Sequence, residues 1–169
     1  MAKKNVRVKK YSNGEKRFIR HLIATVAYRG EKVVRKTPPG FPETRIGNSS
    51  RTPLEILAHI NDLFDWAGHL VRGEQLWAAS QPADWSTEVR RFYRALKNLD
   101  RQFAGSAPIG CDLSKLVQGP IADALTHIGQ LAMLRRLAGA PVRGENYFIA
   151  RISSGRVGPA QSKRRVEFD

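Results

Sequence analysis

His59 stands in the run Thr52-Pro-Leu-Glu-Ile-Leu-Ala-His-Ile-Asn-Asp, and Asp123 and His127 stand in Ile121-Ala-Asp-Ala-Leu-Thr-His-Ile-Gly-Gln-Leu. A spacing of four places Asp123 and His127 one above the other on a single helical face. If the helix that carries His59 lies beside theirs, two imidazoles and a carboxylate can converge on one divalent ion. That donor set suits zinc, nickel, iron or manganese and leaves positions open for water or substrate. Water acidified by such an ion is a nucleophile near neutral pH, so hydrolysis is chemically within reach. The competing expectation is structural: two hydrogen-bonded histidines on half-buried faces, and an early-turn acid that complements the helix dipole after Pro120. Asp62, three residues after His59, and Gln130, three after His127, adjoin the same faces. Each is either a partner that fixes an imidazole tautomer or a solvated surface group. No residue stands out as a general base; Asp62 and Glu55 are the carboxylates on offer. His21 and His69 read as structural or exposed, and Trp66, Trp77, Trp85, Phe92 and Tyr93 as core or pocket wall.

These residues need helices to position them, and the apolar periodicity supplies four. Ser12-Asn-Gly-Glu has capping-box spacing, and Phe18, Ile19, Leu22, Ile23, Val26, Ala27, Val33 and Val34 recur at three and four, which predicts a first helix over 14–36. Thr37-Pro-Pro-Gly-Phe-Pro ends it. The 37–51 stretch is long for a loop in a compact domain, and reads as a lid or pocket rim. The second helix has Thr52 as cap, Pro53 at its first position and Glu55 closing the box, and runs to about Val71 before Gly73. A third runs from about Trp85 to Ala104. A short turn over 113–117 precedes Gly119-Pro120, and Pro120 opens a fourth helix that ends near Ala138, with Gly139 as cap and Pro141 barring continuation. The pattern is all-α: a four-helix bundle with at least one long crossover connection and a draped C-terminal tail. Its divisions are a basic flexible arm over 1–11, the bundle over 12–150, and a basic tail over 151–169 that ends in disorder.

The chain has 169 residues, 41% of them apolar, enough for one domain with a real core. Residues 1–36 carry twelve Lys/Arg against Glu15 and Glu31, a net +10, and residues 151–169 carry five against two acids, a net +3, so the +14 of the whole is almost all terminal. Such an edge either attracts nucleic acid weakly and without sequence readout, or serves as a solubilising surface. No segment approaches the roughly 20 apolar residues of a membrane span. The N-terminus has no apolar core of signal type, so the expected location is cytoplasmic. Cys111 is the only cysteine, which excludes an internal disulfide and any multi-cysteine zinc site. The Gly-Arg-Val-Gly-Pro run at 155–159 follows no strand and opens no helix, so it fails as a phosphate loop.

Three passages together resemble the DinB-like superfamily, four-helix bundles related to metal-dependent thiol transferases: Thr52-Pro-Leu-Glu-Ile-Leu-Ala-His-Ile, the Asp123–Gln130 run ending His-Ile-Gly-Gln, and Leu134-Arg-Arg-Leu-Ala-Gly-Ala-Pro-Val. The resemblance covers about residues 15–150. It implies a divalent metal held between the second and fourth helices, hydrolysis or thiol-dependent transfer on a small molecule with a low-molecular-weight thiol as possible co-substrate, and a homodimer. The family pattern places one His on the second helix and a His-x-x-x-His pair on the fourth. Here His59 and His127 match, and Asp123 takes the first position of the pair. The resemblance alone does not name a reaction.

Overall fold

The computed structural model describes residues 10–168. The protein is predominantly helical: α1 (Asn13–Val34), α2 (Pro53–Val71), α3 (Trp85–Ala104), a single turn α4 (Leu113–Leu116) and α5 (Ala122–Leu137). A two-residue antiparallel pair, β1 (Gly144–Glu145) with β2 (Glu167–Phe168), closes the C-terminal segment. No helix among the described residues is long and apolar enough to cross a membrane.

The helix starts lie where the capping residues put them. Ser12 and Thr52 each accept the N–H of the residue three on, and Glu15 and Glu55 accept the cap N–H in return at 2.8 and 2.7 Å. Asp84 caps α3 by accepting the Thr87 N–H at 3.0 Å. Gly139, at φ 71°, ends α5 in the left-handed conformation that glycine tolerates. The fourth helix departs from its expected start. Pro120 does not open it but sits inside a wide turn, Val117–Ile121, and regular helix begins at Ala122. Pro120 has no N–H to donate and Gly119 adopts a non-helical φ −89°, ψ −107°, so the hydrogen-bond ladder is interrupted and the helix kinks there.

Packing puts the helices around one apolar core in the order α1, α3, α2, α5, with α1 and α2 each lying against both α3 and α5. Consecutive helices α1 and α2 therefore stand diagonally, and the long 35–52 connection crosses between them. It is pinned at its start and near residue 41. Phe41 is buried and meets the Trp85 ring edge-on at 5.7 Å. The Arg135 guanidinium, also buried, donates to the carbonyls of Val33, Arg35, Lys36 and Ala140 at 2.6–3.3 Å, satisfying the end of α1. Gly30 lets α1 approach α3 closely, since a Cβ there would lie 2.5 Å from Phe92 Cζ. Phe18, one of the apolar positions of the α1 periodicity, is 60% exposed.

The C-terminal segment drapes over α1 as expected, but its basic end is placed rather than disordered. Glu145 is buried and accepts the Tyr28 hydroxyl at 2.5 Å and Lys32 Nζ at 3.0 Å, and Lys32 also reaches Glu167 at 3.0 Å. Arg164 pairs with Glu31 and lies over the Tyr28 ring at 4.1 Å. Composition could not show this, because the partners that hold the tail are charged groups on a buried face of α1. The expected flexible arm lies outside the described residues except for Lys10 and Tyr11, and the Tyr11 hydroxyl donates to the Cys111 carbonyl at 2.9 Å. Lys32→Met is expected to cost about 3–5 kcal/mol in denaturant unfolding, because it strands the Glu145 carboxylate. A second change, Glu145→Gln, should recover much of the loss.

Candidate metal centre

His59 lies two turns into α2, and Asp123 and His127 lie in the first half of α5. The wide turn before Ala122 sets the phase at which α5 enters, and such turns recur at functional sites. With α2 and α5 side by side, the three side chains meet. His127 Nε2 is 3.4 Å from one Asp123 oxygen, and His59 Nε2 is 3.7 Å from the other. The two imidazoles cross edge-to-face at 4.8 Å, and one ligand atom from each of the three residues lies within 4.8 Å of the others. A tetrahedral site with bonds of about 2.1 Å has donor–donor edges of about 3.4 Å, so the donors stand close to ligating separation.

The surroundings favour the ligand form of each ring. His127 Nδ1 pairs with Gln130 Oε1 at 2.8 Å. An amide oxygen only accepts, so Nδ1 carries a proton and Nε2 is the nitrogen turned to the cluster. His59 packs edge-on against Trp77 at 5.9 Å, and Trp77 against Trp66 at 5.6 Å. Burial, then the neighbouring His127 and Arg51, lower the His59 pKa below its ordinary value, outweighing the opposite pull of Asp123, and so favour the neutral imidazole. The histidine side chains are 21% and 12% exposed and Asp123 is 46% exposed, so the cluster opens to solvent on the carboxylate side. A groove of about 490 Å³ runs along α5 from His127 and Gln130 past Met133 to Leu137, with Ile46 and Arg51 on its other wall.

Of the two flanking candidates, only Gln130 joins the cluster. Asp62 is buried elsewhere and is neither an imidazole partner nor a surface group. It accepts the Ser80 N–H at 3.0 Å, the Ser80 hydroxyl at 2.8 Å and Arg91 Nη2 at 2.5 Å, fastening the 72–84 link and α3 to α2. Three residues along a helix turn a side chain by some 60° short of a full turn, enough to move it from the α5 side to the α3 side. Glu55 is held in its capping box and by Arg45, and the Thr52 N–H lowers its pKa, so it makes a poor base. His69 pairs with Glu74 at 2.6 Å, and His21 is an exposed residue of α1. Sequence reasoning missed Arg51, although it directly precedes the Thr52 cap. Trp77 was read as core or pocket wall; its contact with His59 was not foreseen, because it comes from an irregular link.

Comparison with family models, with curated proteins and with solved structures finds no match to this chain.

Two measurements follow from this geometry. Gln130→Ala should weaken zinc binding about 10–100-fold in a chelator competition, with the fold intact, because it frees the His127 ring. Burial, aided by Asp112, pushes the Cys111 thiol up to about 11. Iodoacetamide should therefore label Cys111 well over tenfold more slowly than free cysteine at pH 7.5, and equally in the unfolded chain.

Proposed function

We propose that this protein is a divalent-metal protein with a DinB-like four-helix bundle, and that it acts on a small molecule by hydrolysis or thiol-dependent transfer. The observation that carries the reading is the convergence of His59, Asp123 and His127 from two neighbouring helices, with the outward nitrogen of His127 already fixed by Gln130. His59 and His127 would hold the ion through Nε2, and Asp123 through its carboxylate. A bound ion of this class supplies Lewis acidity, which polarises a substrate carbonyl and favours a deprotonated water or thiol.

The chain's own residues do the rest. The groove beside α5 receives an apolar substrate body against Met133 and Leu137. Arg51, on the groove wall, offers a cation to an anionic group of the substrate or thiol. Trp77 and Trp66 cover the His59 side and limit access of water to that ring. Asp123 is a harder donor than the imidazole the family pattern has at its position, which shifts the preference toward zinc, iron or manganese.

Elemental analysis of protein purified without chelator tests the reading. About one divalent metal per chain is expected, lost in His59→Ala and in His127→Ala, while both variants keep their helical circular dichroism. Stoichiometric metal in these variants, or none in any preparation or after reconstitution, contradicts it. Because a metal must displace protons from the histidines, binding is expected to hold at neutral pH and to fail as pH falls. The lowered pKa of His59 puts the failure of that ligand below the ordinary histidine range.

A further inference from the structure

The five Lys/Arg residues of the C-terminal segment, Arg151, Arg156, Lys163, Arg164 and Arg165, all line one hollow of about 590 Å³. A second hollow of about 660 Å³ is lined by Arg17, Phe18 and His21 of α1 and by Ile152 to Ser154. Ser153 belongs to both, so the two adjoin. Neither hollow has an Asp or Glu among its lining residues, and neither shares a residue with the groove beside the metal ligands.

This basicity is presented by a folded loop. Val157 is buried, the Ser162 hydroxyl donates to the Arg151 carbonyl at 2.6 Å, Arg156 donates to the Ser162 hydroxyl, and Gln161 Nε2 donates to the Gly158 carbonyl at 2.6 Å. Gly155, at φ 85°, turns the loop where a Cβ would lie 3.0 Å from the Arg20 guanidinium. Arg164 is engaged by Glu31 and Tyr28 and anchors the loop, while Arg151, Arg156, Lys163 and Arg165 stay exposed. Phe18 is 60% exposed on the wall of the second hollow, on an outward turn of a helix whose next residue, Ile19, is core. In sequence, the chain that leads into α1 adds Lys3, Lys4, Arg7, Lys9 and Lys10.

We propose that the two hollows form one track for single-stranded nucleic acid, with phosphates on Arg151, Arg156, Lys163, Arg165 and Arg17 and a base stacked on Phe18. A like-signed concave strip with an aromatic on its wall has the chemistry of non-sequence-specific strand binding. Charge alone would serve any polyanion, and the exposed ring beside it selects a ligand with unpaired π-faces. The track is independent of the metal reading.

Fluorescence anisotropy of the full chain with a fluorescein-labelled single-stranded 20-mer RNA tests the proposal. Binding should weaken steeply with salt. The variant Arg151→Gln/Arg156→Gln/Lys163→Gln/Arg165→Gln should lose at least tenfold in affinity at moderate salt, with a salt slope shallower by about 3 for four phosphate contacts. Lys163→Gln/Arg165→Gln, which leaves the Arg156–Ser162 bond in place, should lose about half of that slope and retain the parent melting temperature. Phe18→Ala should weaken binding about fivefold or more with the slope unchanged, since stacking releases no counterions. His59→Ala should bind as the parent does. The proposal is overturned by absence of salt-sensitive binding, by a quadruple variant that binds like the parent, by duplex binding as tight as single-strand binding with Phe18→Ala neutral, or by anionic lipid vesicles that bind where the RNA does not.

Discussion

The ligand cluster depends on α2 lying directly against α5, and that contact depends on the chain crossing the molecule diagonally between α1 and α2. Two helices joined by a tight turn would be neighbours, and α2 would then face α1. The crossing is held open by specific interactions: Phe41 against Trp85 at one place, and the Arg135 guanidinium over the last carbonyls of α1 at another. Arg135 lies on α5 itself, so the helix that supplies Asp123 and His127 also fixes the start of the connection that leads to His59. Removing that side chain would leave the buried Val33 carbonyl without its partner, at a cost of about 1–3 kcal/mol, and would free the partly buried carbonyls of Arg35 and Lys36.

Buried charge does structural work on both sides of the core. Asp62, Arg91 and Ser80 join α2, α3 and the link between them, while Tyr28, Lys32 and Glu145 join α1 to the C-terminal segment. Pairs of this kind gain little net stability over apolar packing but penalise any arrangement that leaves one partner alone. They make the position of the irregular segments unique. That matters for function, because the 72–84 link carries Trp77 onto His59 and the C-terminal segment carries the basic loop onto α1.

Much of this was legible. The helix limits followed from Ser12, Thr52 and Gly139, residues whose capping chemistry is local and therefore readable from neighbours alone. The cluster was legible for a related reason: a four-residue spacing fixes Asp123 and His127 on one face, and only the helix adjacency had to be inferred. What the sequence hid was long-range. Asp62 sits three residues from His59 and was read with it, yet its side chain turns to Arg91 of α3 and Ser80 of the 72–84 link, 29 and 18 residues away in sequence. The C-terminal segment looked disordered because its composition is basic and its anchors, Glu31, Lys32 and Tyr28, are charged or polar residues on a helix whose apolar stripe drew the eye elsewhere. Pro120 was read as a helix start by rule, and the wide turn that absorbs it has no sequence signature of its own.

The proposed metal centre and the proposed nucleic-acid track share no residue. The central claim is that three side chains from two helices hold one ion. It is tested most directly by X-ray diffraction from crystals grown with zinc, with data collected above and below the zinc absorption edge. The account predicts one strong anomalous peak within about 2.3 Å of His59 Nε2, His127 Nε2 and an Asp123 oxygen. Ordered side chains with no anomalous peak between them, or zinc bound only at other surface residues, would contradict it.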